Sequence, residues 1–161
     1  MRTFFIAIRS FFFATCFIGL WAWMALQTRG YDRAGHALPS WSSIPGALLL
    51  LAGAILSGSC VVNFVIRGQG TPAPFDAPVK FVATGPYRWM RNPMYIGGWL
   101  MLAGYGFLLR SPAVLVFSAV FLVWWHLFVV IYEEPTLRRK FGAEYEEYCR
   151  RVHRWLPAWR P

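Results

Sequence analysis

Four stretches of this chain, residues 4–26, 44–66, 93–109 and 112–132, are almost wholly apolar, and this limits the available folds more than any other feature. A helix rising about 1.5 Å per residue crosses a hydrocarbon layer of ~30 Å in about 20 residues. The stretch 93–109 is the short one, usable where its ends are thinly covered. Charged residues make up only 14% of the chain, against ~25% in average soluble domains. That is too few to clothe a water-facing surface. The expected fold is therefore an all-α integral membrane protein, one membrane domain over 1–161 with about four transmembrane helices. Nine Trp and 19% aromatic residues suit belts at the membrane interfaces.

The first run is interrupted only by Arg9, Ser10 and Thr15. A signal peptide normally has an apolar core of ~7–15 residues and a small-residue cleavage site. This run is longer and lacks a clear site, so a retained helix is expected, with Arg9 snorkelling. Residues 27–43 read as a polar loop. In the loop 67–92, Gly68-Gln69-Gly70-Thr71-Pro72-Ala73-Pro74 excludes regular helix. Asn92-Pro93 and Ser111-Pro112 each read as an N-cap followed by Pro at the first helical position. Only Arg110 and Ser111 separate the last two spans, which predicts a tight antiparallel hairpin. Pro135 is expected to end the fourth span. Leu137, Phe141, Tyr145, Tyr148 and Val152 recur at helical spacing, so 136–152 is predicted to be an amphipathic helix. Its expected i,i+4 pairs are Glu146 with Arg150 and Glu147 with Arg151. Residues 133–161 as a whole form a C-terminal segment beyond the spans.

Four spans put both termini and the 67–92 loop on one side. That side carries Arg2, Arg67, Lys80, Arg88, Arg91 and every Lys or Arg after Arg110; the other carries Arg29, Arg33 and Arg110. Both termini are therefore expected in the cytosol. The net charge of +9 has the same origin, and nucleic acid is not an expected partner. Cys16, Cys60 and Cys149 show no metal-ligand spacing and read as inert thiols. Oligomeric state leaves no trace in the sequence.

Two polar segments meet membrane helices, Gly85 to Gly97 and Glu133 to Tyr148. A hairpin of the last two spans brings Arg91 and Asn92 opposite Glu133 and Glu134. Adjacent carboxylates at a membrane helix end are costly unless paired or hydrated. They read either as solvated groups or as a site for a ligand with cationic character. Tyr87, Trp89 and Tyr95 offer ring faces for such a ligand. Asn63 and His126 read as groups that bond neighbouring helices.

These segments resemble the isoprenylcysteine carboxyl methyltransferase and phospholipid methyltransferase superfamily over roughly residues 64–157. The family pattern is a Gly-Pro-Tyr turn, Arg-His-Pro-x-Tyr-x-Gly, a Glu pair, then Phe-Gly-x-x-Tyr-x-x-Tyr and a terminal Pro. Here it is Gly85-Pro86-Tyr87, Arg91-Asn92-Pro93-Met94-Tyr95-Ile96-Gly97, Glu133-Glu134, Phe141-Gly142 with Tyr145 and Tyr148, and Pro157. The resemblance implies a site on the cytosolic side that binds S-adenosylmethionine through Tyr87, Arg91, Asn92, Pro93, Tyr95, Gly97, Glu133 and Glu134. Arg91 is the expected catalytic group, orienting the acceptor or the cofactor carboxylate. There are two departures. Asn92 replaces the usual His and cannot serve as a base. Phe128-Val129-Val130-Ile131-Tyr132 lacks the arginines that enzymes acting on prenylcysteine carry before the Glu pair.

The leading expectation is a methyltransferase acting on a lipophilic or membrane-partitioning acceptor: an isoprenylcysteine-like carboxylate, a phospholipid amine or a small thiol. The alternatives are a sterol-type membrane reductase with a nicotinamide cofactor, and a non-catalytic membrane protein of the same fold.

Overall fold

The computed structural model describes residues 2–32, 37–68 and 81–157, and all regular structure among them is helical. The helices are α1 (Arg2–Arg29), α2 (Ser43–Asn63), α3 (Pro93–Leu108), α4 (Pro112–Phe128), α5 (Glu134–Phe141) and α6 (Ala143–Arg151). Most of the Gly/Pro-rich loop, residues 69–80, lies outside the described residues.

A 3₁₀ turn at Ser40–Ser42 precedes α2 and a π turn at Phe64–Gly68 succeeds it. The continuous apolar helix Ser40–Arg67 is then 28 residues long. Likewise α4 runs through a π turn at Val129–Glu133 into α5, giving 30 residues from Pro112 to Phe141. The expectation that Pro135 ends this helix is wrong. Pro135 lies in the first turn of α5, directly after the π turn. Its missing N–H falls where the hydrogen-bond ladder already changes register, so little is lost.

Three helices are long and apolar enough to cross a membrane: Phe11–Arg29, Ser40–Arg67 and Pro112–Phe141. Their outward faces expose Phe11, Phe12, Leu48, Ile55, Val116 and Val120, as helices solvated by lipid do. The stretch expected as a third span forms α3, but its 16 residues cover only about 24 Å. Among the described residues, three rather than four helices reach spanning length.

Helices α2 and α3 pack at the closest distance any residue type permits. A Cβ on Gly53 would lie 2.5 Å from the Gly97 carbonyl oxygen, and one on Gly104 2.6 Å from the Leu50 nitrogen. Small residues at such a seam let backbones touch where apolar burial supplies no driving force. Contacts between α3 and α4 run in reverse order along the two helices. Tyr95 meets Glu133, Gly98 faces Trp125, and Gly106 faces Val114 and Leu115.

One end of the bundle is tied by short-range polar bonds. Ser111 caps α4 as expected, its hydroxyl accepting from Val114 N at 3.1 Å. Asp32 Oδ1 accepts from Ala113 N at 2.9 Å. Leu38 and Arg110 exchange two bonds, Leu38 N to Arg110 O and Arg110 Nε to Leu38 O. Asp32, Leu38 and the α3–α4 turn therefore share one end of the molecule.

The predicted helix 136–152 is two helices, broken at Gly142, whose φ of 54° and ψ of −127° lie outside any helical region. The apolar face read from the sequence survives the break. Tyr145, Tyr148 and Val152 are buried with Leu137, Phe141 and Phe81 packed against them. The ion pairs change with the geometry. Glu147 pairs with Arg151 as expected and also with Arg150, while Glu146 turns to Arg138 at 3.1 Å.

Candidate functional site

The site is assembled at the opposite end, where three backbone features meet. The first is the turn Gly85–Arg88, pinned by the end of α2. Asn63 Nδ2 donates to Thr84 O at 2.7 Å, and Thr84 Oγ1 donates to Asn63 Oδ1 at 3.1 Å. Asn63 thus holds a loop, not the neighbouring helix expected of it. Tyr87 is buried behind this turn with its ring edge-on to Phe64, in one cluster with Cys60. Burial pushes the Tyr87 phenol well above its usual range. Its carbonyl accepts from Tyr148 Oη at 2.7 Å, which fastens α6 to the turn.

The second feature is the segment 152–157 after α6. It lies against the entry to α3. Arg91 N donates to His153 O at 2.9 Å, and Asn92 Nδ2 donates to Arg154 O at 3.1 Å. Asn92 holds the N-cap position of α3, but its side chain makes no capping bond. The amide serves the C-terminal segment instead. Trp155 Nε1 donates to His126 Nδ1 at 3.0 Å, so His126 also bonds this segment rather than another membrane helix.

The third feature is the π turn of α4, which delivers the Glu pair. Glu134 is only 4% exposed. Arg154 grips it with both arms, Nε to Oε1 at 2.8 Å and Nη2 to Oε2 at 3.0 Å. Arg91 Nη1 approaches the same Oε1 at 3.1 Å. The paired carboxylate holds Arg154 above its usual pKa, chiefly through these hydrogen bonds. Glu133 points elsewhere. Its Oε2 accepts from the Tyr95 hydroxyl at 2.6 Å, and no basic side chain among the described residues pairs with it.

The expected facing of Arg91 and the Glu pair is therefore present for Glu134. Asn92 bonds Arg154 O rather than either Glu, and Glu133 meets Tyr95. Pro93 is buried as the first residue of α3, and Gly97 faces α2, where an added Cβ would strike Ser57 Oγ. Trp89 is exposed. Two contacts have no counterpart in the sequence reading. One is Arg154 itself. The other is Cys149, whose sulfur lies 2.9 Å from Arg91 Nη1.

The formal charges at this corner balance, two guanidinium groups against two carboxylates, but the pairing is uneven. Both cations lie on Glu134, and Glu133 has only a neutral donor. Among the described residues, Arg91 Nε is buried and makes no hydrogen bond. An unmade bond at a buried donor is costly. The corner thus has one acceptor without a cation and one donor without an acceptor, a combination suited to a zwitterionic ligand.

Comparison with known proteins places this chain in a wider group. A family model described as "Phospholipid methyltransferase" matches residues 41–144. A rice protein (Oryza sativa subsp. indica) named "Probable protein-S-isoprenylcysteine O-methyltransferase" is 42% identical over 80 residues, covering 48% of this chain and 41% of its own. The Xenopus laevis "Protein-S-isoprenylcysteine O-methyltransferase" is 27% identical over 145 residues, 85% of this chain and 47% of its own. "Methanethiol S-methyltransferase 1" of Bradyrhizobium diazoefficiens is 31% identical over 101 residues, 62% of this chain and 32% of its own. The chain spans less than half the length of these three relatives.

Proposed function

Because this chain belongs to the phospholipid methyltransferase family, we propose that it is an S-adenosylmethionine-dependent membrane methyltransferase whose cofactor is held by Arg91, Tyr95 and Glu133, with Glu134 anchoring Arg91 and not itself touching the cofactor. The observation that carries this reading is the uneven charge pairing. The amino-acid end of S-adenosylmethionine bears an ammonium and a carboxylate. Glu133 suits the first, and the unpartnered Nε of Arg91 suits the second. When bound, the cofactor supplies a methyl group on a sulfonium, already activated for in-line displacement. The chain's task is then to bind, align and exclude water, which needs no general base for a carboxylate or thiolate acceptor. Asn92 in place of His is compatible with that. Tyr87, Pro93 and Gly97 support the site from behind, as the buried turn, the start of α3 and the seam with α2.

The acceptor is lipophilic or partitions into the membrane. Relatives named for a prenylated cysteine and for methanethiol support a carboxylate or a thiol. The run Phe128–Tyr132, free of arginine, favours the small thiol over the prenylcysteine carboxylate. The Lys/Arg imbalance supports a site that opens to the cytosol together with both termini. Thermal unfolding of the purified protein tests the cofactor. S-adenosylmethionine or S-adenosylhomocysteine should raise the midpoint, as any ligand of the native state does. Stabilisation by a reduced nicotinamide alone would instead select the reductase alternative.

A further inference from the structure

We propose that Arg154 is a positioning residue for this site: by gripping Glu134 with both arms, it keeps Arg91 from doing so and leaves Arg91 Nε open to a ligand anion. This rests on the reading that Arg91 receives the cofactor carboxylate. A guanidinium and a carboxylate pair best as a two-pronged fork. Glu134 has one fork to give. Arg154 takes it through Nε and Nη2, and Arg91 is left with a single arm on Oε1. Among the described residues these two arginines are the only basic groups paired with Glu134. Without Arg154, Oε2 becomes free next to a buried Arg91 whose Nε has no acceptor. Arg91 would then turn its Nε–Nη2 edge onto Glu134, the side-on fork that its present Nη1 contact cannot make, and lose the donor that the ligand needs.

The backbone is built to keep Arg154 in place. Residues 153–155 are tied at three points, to Arg91 N, to Asn92 Nδ2 and to His126 Nδ1. Two of these ties come from the Arg91-Asn92 step itself, so the segment and the entry to α3 move as one body. Asn92 is thereby placed in service of Arg154, and its substitution for a His gains a structural role.

The test measures S-adenosylhomocysteine affinity by calorimetry on the full-length protein in detergent micelles, with thermal unfolding recorded in parallel. The variants are Arg154→Gln, Arg154→Lys, and each of these combined with Glu134→Gln. Either Arg154 substitution alone should weaken binding about tenfold or more, because Glu134 captures Arg91. Adding Glu134→Gln removes the capturing carboxylate and should restore affinity to within about threefold of the parent. A purely structural role predicts the opposite, a double variant weaker than either single one. That result, or single variants that bind like the parent, would overturn the proposal. If Arg154→Gln does not fold, the Lys pair decides the question alone, since an ammonium cannot form the fork. A parent protein that fails to bind S-adenosylhomocysteine would overturn the methyltransferase reading instead.

Discussion

Changing Glu133 to Gln and Glu134 to Gln should have different consequences, although the residues are adjacent. Among the described residues Glu133 has one hydrogen bond, from the Tyr95 hydroxyl at 2.6 Å. A Gln side chain keeps an acceptor oxygen for it, so folding stability should fall by only about 1 kcal/mol. On the proposed function, the loss is the negative charge that Glu133 offers to the cofactor ammonium. A charge-assisted hydrogen bond is worth about 1.5–3 kcal/mol, which is more than tenfold in affinity. Glu134 accepts three contacts from two guanidinium groups and is 4% exposed. Neutralising it leaves Arg91, itself 13% exposed, buried with no counter-ion. Breaking one side of a buried pair costs roughly 3–5 kcal/mol. Solvent access at Arg154 puts the expected loss at the lower end, about 3 kcal/mol of folding stability. Glu144 on α6 is exposed, and Glu144→Gln should change stability by less than about 0.5 kcal/mol and leave binding intact. The assay pairs calorimetric titration of S-adenosylhomocysteine with chemical or thermal unfolding. If Glu133→Gln binds like the parent, the division of labour between the two carboxylates is wrong.

The same contacts set further outcomes. Arg91→Lys should lower turnover more than tenfold while the protein remains folded, because an ammonium keeps the charge but has no Nε; unchanged initial rates would refute a role for Arg91 in binding. Gly97→Ala should destabilise by about 3 kcal/mol or prevent folding, since its Cβ would strike Ser57 and the Gly53 carbonyl; a melting temperature equal to the parent's would show that α2 and α3 can separate at no cost. Asp32 has its carboxyl lowered below 3.8, first by its hydrogen bond with Ser111 and then by Ala113 N. Its stabilisation should be complete above that value and fade as pH falls through the lower folded one, and Asp32→Asn should remove this acid-range slope from unfolding curves. Reporter fusions should place the C-terminus in the cytosol and the points after Arg33 and Arg110 on the other side, and a non-cytosolic C-terminus would contradict the charge argument.

The helices are legible in the sequence because apolar length and Pro punctuation act locally. Ser111-Pro112 reads correctly as a cap, and the apolar register from Leu137 to Val152 identifies the buried face of α5 and α6. Facing between Arg91 and Glu134 comes from chain connectivity alone. Arg154 does not. It lies beyond the last residue of the helical register, in an irregular segment whose course depends on bonds to residues some 60 positions earlier. The glycine seam is visible as Gly46 and Gly53 against Gly97 and Gly104, each pair seven residues apart, but only knowledge of which helices are neighbours turns that spacing into a contact.

The π turn explains why two adjacent carboxylates serve separate partners, and it is the feature hardest to foresee. In a regular α-helix neighbours are about 100° apart, and the i→i+4 ladder fixes where each one points. A π turn inserts an extra residue into that ladder and re-aims the side chains beyond it, which is why such turns concentrate at functional positions. Here it spans Val129–Glu133. Glu133, at its end, is directed to Tyr95 on α3, and Glu134, the first residue of α5, is directed to Arg91 and Arg154. Pro135 comes next, and its lack of an N–H makes the wider ladder cheaper there than an unbroken α-helix would be. A proline that reads as the end of a helix thus stabilises the distortion that separates the Glu pair. One carboxylate organises the arginines, and the other stays available for a cation.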